Sequence, residues 1–165
     1  MHGLGETLSP PEVTEAVTLG TCRLMREMGF SPLTEFKLGN GRRADIAAIN
    51  RRGMLTIAEV KATPDDFRAD RKWPDYLAFC DCFYFAVPES FPLSLLDDTA
   101  GWPERTGIIV ADRFGGAVRR PAPEVKMNAG RRRTETLRFA RKAAARLHRH
   151  LYGEGEMAPQ PLILR

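Results

Sequence analysis

Residues 42–61, RRADIAAINRRGMLTIAEVK, constrain the fold of this chain more than any other stretch. ADIAAIN alternates small and branched side chains, RRG is turn chemistry, and MLTIAEVK is rich in strand formers. The spacing predicts two antiparallel strands joined by a tight turn. Gly53 suits the last loop position, where the backbone must take a positive φ. A turn centred on Arg52 places residues whose numbers sum to about 104 opposite each other, within about one residue. Asp45 then faces Glu59, and Arg43 faces Lys61. Side chains two apart on a strand share a face, so Asp45, Glu59 and Lys61 gather at the open end of the hairpin. Two carboxylates side by side are costly unless a divalent cation or a substrate phosphate balances them.

The preceding segment extends this row. Gly39-Asn40-Gly41 is a strong hairpin turn after a strand expected near 33–38. Centring it on Asn40 pairs residues that sum to about 80, which sets Glu35 opposite Asp45. Glu35, Asp45, Glu59 and Lys61 would form one row across three antiparallel strands. A surface ladder of ion pairs accounts for Arg43 and Lys61, but poorly for three adjacent acids, because like charges directly opposite are destabilising. Ala47, Ile49, Leu55 and Ile57 share the acidic face, and Ile46, Ala48, Met54, Ala58 and Val60 line the other. With both faces apolar, the sheet should be covered on both sides.

Flanking elements follow from end signals. Ser9-Pro10-Pro11-Glu12 starts a helix that stops at Gly29, with Val13, Ala16, Val17, Gly20, Leu24 and Met28 as its buried stripe. Thr63-Pro64-Asp65-Asp66 starts a second helix, kinked near Pro74. On it Arg68, Lys72 and Tyr76 succeed one another at four-residue steps and so can share a face beside the acidic row. Trp73, Tyr76, Leu77 and Phe79 also read as core. FYFAV (83–87) and GIIVA (107–111) are buried strands, 89–105 is a loop or short helix, and AVRRP is an edge strand. A helix over 131–151 closes the domain, with Leu137, Ala140, Ala144, Leu147 and Leu151 as its expected core stripe. Residues 9–152 read as one domain between a loose N-terminus (1–8) and a flexible tail (153–165).

Charge is distributed unevenly. Residues 1–112 hold 12 Lys and Arg against 17 Asp and Glu, whereas 113–149 hold 12 against 2. An acidic part carrying the carboxylates, followed by a strongly basic part, suits a chain that grips a polyanion, with Arg131, Arg132 and Arg133 leading the basic helix. No apolar run reaches membrane-spanning length, and the N-terminus lacks a signal-peptide pattern. Three cysteines (Cys22, Cys80, Cys82) without metal-ligand spacing fit a reducing cytoplasm, and His148 and His150 point to different helix faces.

A strand Asp followed by acid-x-Lys on the next strand suits metal-dependent phosphodiester cleavage. Asp45 and Glu59 would ligate Mg²⁺ or Mn²⁺ with the Val60 carbonyl, Glu35 would add a ligand directly or through water, and Lys61 would hold the attacking water or offset developing charge. Asp45 followed by Glu59-Val60-Lys61 resembles the PD-(D/E)xK nuclease pattern, with Ala44 where that motif often has proline. GRRADIAAI, EVKATPDDFRADRKWPDY, FAVP, IIVADRFGG and the arginine-rich last helix resemble the MmcB-like family of DNA repair endonucleases over about residues 10–150. The resemblance implies a restriction-endonuclease-like α/β fold: an αβββαβ core whose mixed central sheet has helices on both faces. It also implies DNA as partner, a role in repair or damage-induced mutagenesis, and Asp45, Glu59 and Lys61 as catalytic set. Arg43, Arg68, Lys72, Tyr76 and Arg131–Arg133 are the expected nucleic-acid contacts; Lys72 stands where some superfamily nucleases carry Gln. Other repair or translesion-synthesis proteins and a homodimer are admissible partners, and a nucleoid-associated cytoplasmic location follows. Two readings stay open beside it: a catalytically silent DNA-binding or repair scaffold, and RNA cleavage.

Overall fold

The computed structural model describes residues 8–154. Most of the expected loose N-terminus and most of the expected tail lie outside them. Helix α1 (Pro10–Glu27) leads into a six-stranded mixed sheet: β1 (Phe30–Lys37), β2 (Arg43–Asn50), β3 (Leu55–Val60), β4 (Cys82–Val87), β5 (Thr106–Ala111) and β6 (Gly116–Arg120). The strands lie in sequence order. The first three form an antiparallel meander, β3–β4 and β4–β5 are parallel, and β6 returns antiparallel. Helix α2 (Pro64–Ala69) and a 3-10 segment (Trp73–Phe79) make the β3–β4 crossover, α3 (Ser94–Asp97) lies between β4 and β5, and α4 (Ala129–Tyr152) ends the domain. The expected αβββαβ order is present, and the fold is α/β.

Both hairpin registers agree with turn chemistry. β1 and β2 pair Leu33 with Ala47 and Phe36 with Ala44, and β2 and β3 pair Ile46 with Ala58 and Ile49 with Leu55. Gly41 (φ 84°) and Gly53 (φ 76°) supply the left-handed backbone that closes the two turns. Ile46, Ala48, Ala58, Val60, Tyr84, Ala86 and Ile109 pack on one face with Val17 and Met25 of α1. Ala47, Ile57, Phe83 and Phe85 line the other, covered by Phe67, Trp73, Tyr76, Leu96 and Phe139. Trp73 meets Phe83 and Phe85 with ring centroids 5.5 and 5.0 Å apart. The sheet is therefore covered on both faces, as its apolar strands require.

At the start of α1, the Ser9 N–H and hydroxyl both donate to the Glu12 carboxylate, at 2.8 and 2.6 Å. Thr63 and Asp66 cap α2 reciprocally, each backbone N–H donating to the other's side chain at 3.1 Å. Gly20 lets α1 cross the β5–β6 turn closely: a Cβ there would lie 1.9 Å from the Asp112 carbonyl oxygen and 2.3 Å from that of Gly115. Both obstacles are backbone. Gly20→Ala should therefore destabilise the domain by about 2–3 kcal/mol despite its gain of up to ~1 kcal/mol in helix propensity. A melting temperature at or above wild type would contradict this.

Three expectations need correction. On α1, Thr21 and Met25 are buried, whereas Met28 is the exposed C-cap. The crossover helix breaks at Asp70, four residues before Pro74, so Arg68 and Lys72 do not share one helix. In the tighter 3-10 turn beyond it, Lys72 and Tyr76 also lose their common face. Helix α4 is rotated relative to its apolar pattern. Glu135 and Phe139 are buried, whereas Leu137, Leu147 and Leu151 are 56%, 59% and 60% exposed, with Ala140 and Ala144 exposed between them. Polar anchors set that rotation. Arg132 binds the buried Asp81 carboxylate, the Gly39 N–H donates to Glu135 Oε1 at 3.2 Å, and Phe139 packs 5.5 Å from Phe36.

Candidate metal-dependent active site

The open end of the β2–β3 hairpin carries the candidate site. Regular pairing stops at Ile46–Ala58. Beyond it, side chains replace the ladder: the Asp45 N–H donates to Glu59 Oε1 at 3.0 Å, and the Val60 N–H donates to Asp45 Oδ2 at 2.8 Å. Each carboxylate thus has one oxygen fixed by the opposite strand. Among the described residues, no hydrogen bond engages the other oxygen of either. Beyond Val60 the chain stays anchored to β4, the Lys61 N–H donating to the Ala86 carbonyl at 2.9 Å. Glu59 and Lys61 are only 4% and 6% exposed. Sequence reasoning placed Asp45, Glu59 and Lys61 together, and the structure brings them together.

Asp70 completes the cluster, and sequence reasoning missed it. Its Oδ2 accepts from Lys61 Nζ at 2.5 Å, while Oδ1 accepts from the N–H groups of Lys72 at 2.8 Å and Trp73 at 3.1 Å. One side chain thus caps the 3-10 segment and holds the lysine. Ser9 and Thr63 announce their helices by directly preceding a proline, whereas Asp70 stands four residues before Pro74, so the sequence carries no such signal for it. Glu35 stands apart from this cluster. It is exposed, takes a left-handed φ of 49°, drops out of the β1–β2 pairing, and turns its carboxylate toward Arg43 at 3.8 Å. The expected row of three acids on three strands does not form; among the described residues no group of three His, Cys, Asp or Glu side chains is arranged to hold a metal.

The electrostatics of the pair follow from burial. Burial raises the Asp45 carboxyl, against the Val60 N–H and the charges of Lys61 and Arg43. Burial first, and the adjacent Asp45 charge second, push Glu59 up to about 8. Burial would raise Asp70 as well, but the Lys61 hydrogen bond and two backbone N–H groups outweigh it and hold that carboxyl below its usual range. Near neutral pH the Asp45–Glu59 pair retains a proton, which a bound cation would displace. The donor set fits Mg²⁺ or Mn²⁺: two hard carboxylate oxygens, with the Val60 carbonyl, water and substrate phosphate left to complete the shell.

Glu59 also links folding to pH. Its folded pKa lies above the unfolded value, so the stability difference falls as pH rises from about 4.5 to about 8. Without metal, Glu59→Gln should melt above wild type at pH 8–9, and the gap should close below pH 5. An equal gap across that range would show that the Glu59 charge does not cause it.

The other expected nucleic-acid contacts have varied surroundings. The Tyr76 hydroxyl is committed to the Arg43 carbonyl at 3.0 Å, and its ring is core. Arg68 pairs with Asp65 at 3.2 Å on the surface, and Lys72 is exposed. Arg132 belongs to the clamp on Asp81. Arg131 donates to the Ala78 carbonyl at 3.0 Å and lies over the Phe79 ring, whereas Arg133 is exposed. No helix among the described residues is long and apolar enough to cross a membrane.

Comparison with known proteins sets this site in a family. The family model described as DNA repair protein MmcB-like matches residues 7–153. Among solved structures, the SPO1766 protein of unknown function from Silicibacter pomeroyi is 33% identical, with a TM-score of 0.80, over 93% of this chain and 99% of that one. A repair endonuclease from Pyrococcus abyssi aligns at 18% identity and a TM-score of 0.39, over 64% of this chain and 47% of that one. No curated protein matches. The family match spans nearly all the described residues, and the chain belongs to the MmcB-like DNA repair protein family.

Proposed function

We propose that this protein is a metal-dependent endonuclease that hydrolyses DNA phosphodiester bonds during repair. One observation carries the reading: Asp45 and Glu59 each spend one oxygen on the opposite strand, and among the described residues no hydrogen bond engages the other, which leaves a hard oxygen on each for a cation. A bound Mg²⁺ or Mn²⁺ would polarise a phosphoryl oxygen and make its bound water more acidic. The chain's own residues supply the rest. Asp45 and Glu59 hold the cation at the strand ends. In this reading Lys61 Nζ, steadied by Asp70, donates to the scissile phosphate or to the attacking water. Arg43 and Arg133 are exposed cations suited to the DNA backbone.

The test is a panel of duplex, gapped, flapped, branched and single-stranded DNA, with one RNA arm, incubated with Mg²⁺ or Mn²⁺ and either wild type or Asp45→Ala. Cleavage of a DNA member by wild type alone supports the reading. No cleavage, or equal cleavage by both proteins, overturns it. One observation favours the second reading, a silent DNA-binding repair scaffold: the Lys61 ammonium is already neutralised by Asp70. Undiminished repair in cells carrying Asp45→Ala would select that reading.

A further inference from the structure

Helix α4 turns its apolar row away from the domain. Leu137, Ala140, Ala144, Leu147 and Leu151 follow one another at alternating steps of three and four residues, the a/d spacing of a helix that packs along another helix. The three leucines are more than half exposed. Because the inward face is fixed by Arg132, Glu135 and Phe139, α4 cannot roll to bury them without breaking those anchors. Beside the row runs an open groove of about 600 Å³ between α4 and β1, lined by Lys37, Arg138, Arg141 and Lys142 together with Leu137.

Charge and shape select the occupant. A leucine row gains nothing from phosphates, so a nucleic acid explains the arginines but not the leucines. A second copy would bring like charge onto like, because the acids of α4 are limited to the buried Glu135. A bilayer favours a broad face of bulky and aromatic groups, whereas this seam is narrow and has alanines at its middle, which let another helix approach closely. We propose that the outer face of α4 docks an amphipathic helix of a partner protein, with leucine-type residues at its seam and acidic residues beside it.

A synthetic 21-residue helical peptide tests this, with Leu at the two seam positions of each heptad and Glu beside them. Its counterpart carries Lys in place of Glu. Binding to the full chain is read by fluorescence anisotropy. The acidic peptide should bind and the Lys peptide should not. Leu137→Ser combined with Leu147→Ser should weaken binding at least tenfold without lowering the melting temperature, since both side chains are exposed. Reversing Arg138, Arg141 and Lys142 to Glu should exchange the preference between the peptides. The proposal fails if neither peptide binds, or if the leucine changes leave binding intact, which would mean charge attraction alone. It also fails if sedimentation shows a dimer that Leu147→Ser dissolves, or if vesicles of phosphatidylglycerol and phosphatidylcholine compete for the face in a leucine-dependent way.

Discussion

Asp45→Asn is expected to lower Mg²⁺-dependent DNA cleavage about 1,000-fold or more while leaving the melting temperature within a few degrees of wild type. The amide oxygen of Asn can still accept from the Val60 N–H, so the rung at the hairpin end survives. What disappears is the charge of one of the two carboxylates proposed to hold the cation. A 1,000-fold loss corresponds to about 4 kcal/mol of transition-state stabilisation, within the range that Lewis-acid charge stabilisation supplies. The substitution also removes the second-largest influence raising Glu59, so that carboxyl should fall toward its ordinary range while burial still holds it up. Calorimetry should therefore show weaker Mg²⁺ uptake in the variant, with less proton release. A variant that keeps more than a tenth of wild-type cleavage would exclude Asp45 from the reaction.

The second large effect concerns folding. Asp81→Ala should remove about 3–5 kcal/mol of stability, a large share of the ~5–15 kcal/mol typical of a domain. The Asp81 side chain is 1% exposed and ties three segments together. Its oxygens accept from the Leu55 N–H at the start of β3, from the Met127 N–H in the approach to α4, and from both terminal nitrogens of Arg132. Alanine would strand all these donors, one of them cationic. The shift in melting temperature should be on the order of 10 °C. Burial opposes the Asp81 charge, but the Arg132 and backbone hydrogen bonds outweigh it and hold the carboxyl below its usual range. This contribution is present at neutral pH and is lost as pH falls through the depressed pKa, so wild type and variant should converge in acid. A difference below about 1 kcal/mol at pH 7 would show that the clamp is dispensable.

Local chemistry made the hairpins legible and tertiary anchors hid the rest. Gly41 and Gly53 set both turns, so counting across them gives the correct partners for Ile46, Ala47 and Ile49. The same arithmetic places Glu35 against Asp45, yet a single residue at φ 49° takes Glu35 out of the ladder, and side-chain alternation cannot register that irregularity. Asp70 reads as one more helical residue, because its capping of Lys72 and Trp73 depends on a break that helix propensity does not show. On α4 the apolar period is real but misleads about direction. Arg132, offered to a polyanion by its charge, binds the buried Asp81, and Glu135 is itself buried and accepts from the Gly39 N–H, contacts that only the folded sheet provides.

The splayed hairpin end has one more consequence. Because the carboxylates of Asp45 and Glu59 serve as acceptors for backbone amides across the gap, anything that pulls on those carboxylates also loads the two N–H groups. Hydrogen–deuterium exchange at just two positions, the Asp45 and Val60 amides, thus becomes a gauge of the site's occupancy that needs neither a substrate nor a measured reaction.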